Sequence, residues 1–149
     1  MVVSAFMTRH VRPMNSYVPR VVDGELDALF GDLPAILLDG PKAVGKTATA
    51  ARRCTTVRRL DDAAVADVVH ADPRVIADDK PPVLLDEWQR VPAVWDAVRR
   101  LVDEQPTGGR FLLTGSAPSA GTHSGAGRIV TLRMRPLCLA ERLAADAPV

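Results

Sequence analysis

Residues Gly40 to Thr47 read Gly-Pro-Lys-Ala-Val-Gly-Lys-Thr, a complete G-x-x-x-x-G-K-T segment. No other stretch restricts the fold so tightly, because this pattern works only as a turn between a buried strand and a helix. Its glycines let consecutive N–H groups point inward at phosphate oxygens. Lys46 adds a point charge for the outer phosphates, and the Thr47 hydroxyl can join the shell of a magnesium ion. Gly40, Pro41, Lys42, Ala43, Val44, Gly45, Lys46 and Thr47 therefore form the expected phosphate cradle, with Thr49 as a further nucleotide contact. The flanks fit. Ala35–Asp39 is an apolar run of strand length, and the alanine-rich Lys46–Arg53, free of Gly and Pro, can propagate a helix. That helix would turn its free N–H groups and positive dipole end toward the phosphates. The competing reading, a surface turn of small residues, explains neither flank.

At 149 residues the chain suits one domain with a sizeable core. Its formal net charge of +1 gives no general argument for nucleic acid or an anionic membrane. Only Lys42, Lys46 and Lys80 are lysines, and two of them sit in the Gly40–Thr47 segment. Cys54 and Cys138 have no metal-ligand spacing and are expected to be reduced, partly buried thiols. No stretch approaches bilayer-crossing length, and Met1–Met7 is too short for a secretory core, so the cytoplasm is the expected compartment. Residues 1–14 carry no usable pattern, and Met7 and Met14 leave the translation start open.

Along the rest of the chain, Asp23 is placed to cap a helix through Leu26, Leu29 and Phe30 that Gly31 stops. Thr55–Leu60 reads as a strand and Ala63–His70 as a helix ended by Asp72-Pro73. Val83-Leu84-Leu85 is a compact apolar run; Val91, Val94, Trp95, Val98, Leu101 and Val102 recur at helical spacing. Arg110–Thr114 and Ile129–Met134 complete five strands, Pro118–Gly127 reads as a mobile loop, and Ala144–Val149 as a frayed tail. Apolar strands separated by helices predict an α/β fold with a mostly parallel sheet wrapped on both faces.

The run Val83-Leu84-Leu85-Asp86-Glu87 has the form of a Walker B segment. Asp86 would sit beside Thr47 and bind magnesium, and Glu87 would act as general base on the water attacking the γ-phosphate. An acid that merely opens a loop is the bland alternative. In Leu112-Leu113-Thr114-Gly115-Ser116, Thr114 and Ser116 are both candidates to hold that water or touch the γ-phosphate. An ordinary turn after a strand is the competing reading there.

With these segments in place, the chain resembles the AAA+ ATPases, and more narrowly the bacterial and archaeal predicted ATPases with an uncharacterised C-terminal domain. The marks are Tyr17-Val18-Pro19-Arg20, the phosphate loop, Asp86-Glu87-Trp88-Gln89, Leu113-Thr114-Gly115-Ser116, Gly127-Arg128-Ile129, and Arg135-Pro136-Leu137 with Glu141. The resemblance implies a three-layer P-loop NTPase sandwich with sheet order 5-1-4-3-2, a core over 15–142 and a tail over 143–149. ATP as the nucleotide comes from it too. By position it makes Arg128 an arginine finger reaching a neighbouring subunit, hence a homo-oligomer, against the alternative of a surface arginine. One departure stands out. The helical lid with its second sensor arginine, and the C-terminal domain, are expected to be absent.

His10, His70 and His123 are scattered, Trp88 and Trp95 are expected to pack against the sheet, and Arg52-Arg53 with Arg58-Arg59 reads as a solvated face. The functional expectation is magnesium-dependent ATP hydrolysis by Lys46, Thr47, Asp86 and Glu87. The alternatives are a non-hydrolysing nucleotide-binding interaction module and, more weakly, a small-molecule kinase.

Overall fold

The computed structural model describes residues 17–116 and 127–146. Most of the Pro118–Gly127 loop, the 1–14 segment, His10, His123 and residues 147–149 lie outside them. Five strands, β1 (Ala35–Asp39), β2 (Thr56–Arg59), β3 (Val83–Asp86), β4 (Phe111–Gly115) and β5 (Val130–Arg133), form one sheet of order β2-β3-β4-β1-β5. Every neighbouring pair is parallel. This is the expected order read from the other edge. Around the sheet lie α1 (Val21–Leu29), α2 (Lys46–Ala51), α3 (Ala63–Ala71), α4 (Ala93–Glu104) and α5 (Leu139–Asp146), with 3-10 turns at Pro73–Asp78 and Trp88–Arg90.

The alternation of strand side chains builds two cores. Ala35, Leu37, Val83, Leu85, Phe111 and Leu113 face the layer of α3, the Pro73–Asp78 turn and α4, where Val94, Trp95, Val98 and Leu101 meet them. Ile36, Leu38, Leu84 and Leu112 face the other way, toward Val22, Leu26 and Phe30 of the α1 region and Ala50 of α2. β1, β3 and β4 are buried along their whole length, as central parallel strands require. The edge strands β2 and β5 expose alternate residues. Trp88 and Trp95 belong to the core, their rings 4.9 Å apart.

Several local expectations shift. α1 begins at Val21, not after Asp23. Asp23 is the third helical residue, and its carboxylate reaches back to the Arg20 N–H at 2.7 Å, so it caps from inside the helix. α2 stops at Ala51, two residues early, where Arg53 N–H turns to the Ala50 carbonyl and its guanidinium takes the Thr49 carbonyl. The segment expected to fray is helical as far as Asp146. Glu141 anchors that helix by accepting the Cys138 N–H at 2.7 Å. Cys138 is exposed, whereas Cys54 is half-buried as expected, and burial pushes its thiol up to about 12, leaving it inert. Of the basic pairs, Arg52 and Arg59 are exposed as a solvated face requires, and the other two are partly buried in ion pairs. Arg53 pairs with Asp23 and Asp27, Arg58 with Asp79, and Arg52 lies 4.3 Å over the Tyr17 ring.

Leu37 sits at the sheet centre, paired with Leu113 of β4 and Thr131 of β5. Leu37→Ala should lower the unfolding free energy by about 2–5 kcal/mol, read by urea denaturation followed on Trp88 and Trp95 fluorescence.

Candidate nucleotide site

In a parallel sheet the C-terminal strand ends share one edge, where ligands of open α/β folds bind. β1 ends at Asp39 and the chain turns straight into Gly40–Thr47. The turn needs unusual backbone: Ala43 (φ 64°) and Gly45 (φ 100°) are left-handed. Gly40 is fixed by proximity, since a Cβ there would lie 2.3 Å from the Met134 carbonyl oxygen at the end of β5. Pro41, Lys42, Ala43 and Gly45 are exposed and Val44 is half-buried. Lys46 is buried, its ammonium donating to the carbonyls of Gly40 (2.9 Å) and Pro41 (2.7 Å).

Beside this loop three elements converge on one oxygen. Asp86, at the end of β3, is 4% exposed, and its Oδ1 accepts from Thr47 Oγ1 at 2.7 Å and Thr114 Oγ1 at 2.5 Å. Among the described residues no Lys, Arg or His ion-pairs with it. A buried carboxylate with only hydroxyl partners calls for a cation, and carboxylate plus hydroxyl is a donor set that suits a hard divalent ion. No cluster of three His, Cys, Asp or Glu side chains offers another metal position among the described residues. Glu87 follows in a left-handed conformation (φ 58°, ψ 48°), and its N–H donates to Thr114 Oγ1 at 3.2 Å. Its carboxylate accepts from the Gln89 amide.

The structure therefore brings Lys46, Thr47, Asp86, Glu87 and Thr114 together around the loop, with half-buried Ser116 one residue beyond β4. Thr114 is fully buried, its hydroxyl donating to Asp86 and accepting from the Glu87 N–H. Two residues fall elsewhere. Thr49 is fully buried and its hydroxyl meets the Tyr17 hydroxyl at 3.0 Å, so it does not reach the open face of the loop. Arg128 precedes β5 at the opposite, N-terminal edge of the sheet and pairs with Asp103 near the end of α4.

Sequence reasoning noted Arg20 and Glu141 only as family marks and gave them no role. Arg20 donates to the Val44 carbonyl inside the loop (2.5 Å), to the Arg135 carbonyl (2.7 Å) and to Glu141 (3.2 Å). Glu141 also accepts the Val21 N–H at 2.7 Å. Burial alone would raise the Glu141 carboxyl, but the N–H groups of Val21 and Cys138, with Arg20, bring it down to about 2. A cavity of about 280 Å³ adjoins this clasp, lined by Arg20, Val22, Met134 and Pro136 among others.

A family model described as an AAA domain matches residues 32–143. The chain belongs to that family. The AAA domain and its parallel sheet make this a nucleotide-binding fold, with the matched span covering every strand and the convergence on Asp86. Tyr17 to Phe30 precede the match, yet pack Arg20 against the loop inside it. A search of curated proteins returns no match. Among the described residues, no helix is long and apolar enough to cross a membrane.

A carboxyl held below its ordinary 4.5 favours the folded state above that pH, and the contribution fades as pH falls toward about 2. Glu141→Gln should therefore lower the neutral-pH melting temperature and flatten its decline between those two values, measured by thermal scans across pH.

Proposed function

We propose that this AAA domain binds ATP with magnesium and hydrolyses it to ADP and phosphate. The observation that carries the reading is the sharing of buried Asp86 by the Thr47 and Thr114 hydroxyls, directly beside the phosphate loop. The loop amides receive the phosphates, and Lys46 leaves the Gly40 and Pro41 carbonyls to meet the outer ones. Thr47 and Asp86 are the residues that would hold magnesium, which when bound offsets phosphate charge. Glu87 takes a proton from the attacking water as the bond from the γ-phosphorus to the ADP oxygen breaks. Ser116 steadies that water in this reading, and the support for Thr114 as holder of both acids is its pair of hydrogen bonds to them. In this reading the nucleoside end takes the cavity whose lining residues Arg20 and Met134 also adjoin Gly45 of the loop. The core over 15–142, and the narrower kinship with predicted ATPases bearing a C-terminal domain, belong to the same proposal.

Arg128 enters only as a residue for a neighbouring subunit's nucleotide, because its own chain places it at the far sheet edge. That placement also favours the second reading, a module that binds nucleotide without hydrolysing it as a lone chain. Intact binding with turnover no faster than buffer would select the module. Phosphate released without any added acceptor excludes the kinase.

Calorimetry and phosphate release on purified protein test the proposal. Lys46→Ala should abolish magnesium-ATP binding. Glu87→Gln should keep the affinity within about threefold while turnover drops to the background rate. Absence of any nucleotide affinity at millimolar concentration in folded protein overturns the reading.

A further inference from the structure

The turn after β3 contains a contact that none of the roles above uses. Gln89 Nε2 donates to Glu87 Oε2 at 2.5 Å. With its nitrogen on Glu87, the amide turns its oxygen away from that carboxylate. That oxygen, Gln89 Oε1, is buried and has no hydrogen-bond partner among the described residues. A buried acceptor left alone is unfavourable, and its persistence calls for a reason. The contact with Glu87 supplies one. Space for the amide comes from Gly115 at the end of β4, where a Cβ would lie 3.0 Å from Gln89 Oε1 and 2.7 Å from Trp88 Nε1. The small residue that closes β4 thus lets the Trp88–Gln89 side chains sit against the strand.

We propose that Gln89 is a positioning residue that fixes the carboxylate of Glu87 for proton abstraction. The inference rests on the reading of Glu87 as the base. The Glu87 backbone is set by its left-handed turn and by Thr114, but its side chain has several rotatable bonds beyond that point. Gln89 holds one carboxylate oxygen, Oε2, and leaves Oε1 for the water. It adds no charge and takes no proton.

The test is a set of variants of the full chain, reading kcat and KM for phosphate release and the calorimetric Kd for magnesium-ATP. Gln89→Ala should lower kcat about ten- to hundredfold, the range usual for outer partners that orient a reacting group, with KM and Kd nearly unchanged. Gly115→Ala should reproduce the kcat loss by displacing the amide. Should Gln89→Ala fail to fold, as judged by tryptophan fluorescence, Gln89→Met keeps the bulk and removes only the donor. Unchanged or raised kcat in the Gln89 variants, or a rise in KM and Kd as large as the fall in kcat, overturns the positioning role alone. Normal turnover of Glu87→Gln, or none in wild type, overturns the base reading and this inference together.

Discussion

One carboxylate oxygen joins the parts of this molecule that matter most. Asp86 Oδ1 receives a hydroxyl from the first turn of α2 and another from β4, while belonging itself to β3. These elements are neighbours only because the parallel sheet sets β4 between β3 and β1 and aligns all their C-terminal ends. Remove the shared acceptor, and the phosphate loop loses its fixed relation to Glu87. Hydrogen bonds are electrostatically stronger away from water, which suits buried Asp86 as the joint.

Much of this arrangement was legible in the chain. The loop motif and the apolar runs identified β1, β3 and β4, because central parallel strands are buried on both faces and read as unbroken hydrophobic segments. Helix ends were read less well. Asp23 carries the residue type of a cap, yet acts from the third helical position, a distinction that depends on backbone dihedrals and not on composition. Leu139–Asp146 lacked a signal because its anchor, Glu141, is held by Arg20 and by the Val21 N–H, groups about 120 positions away in sequence.

The candidate site divides in the same manner. Spacing picked out Lys46, Thr47, Asp86 and Glu87, since each belongs to a short local pattern. It could not rank Thr114 against Ser116. That choice turns on which hydroxyl points inward at the end of β4, and strand alternation alone leaves the strand's final turn open. Nor could spacing show that the Thr49 hydroxyl meets that of Tyr17, 32 positions away in sequence.

The arginine at position 20 has a mechanical meaning beyond stability. One guanidinium grips the loop at Val44, the strand exit at Arg135 and the first turn of α5 through Glu141. The loop and α5 therefore share a single anchor, so losing that guanidinium would release both at once, and α5 turns Leu139 and Leu143 outward from it.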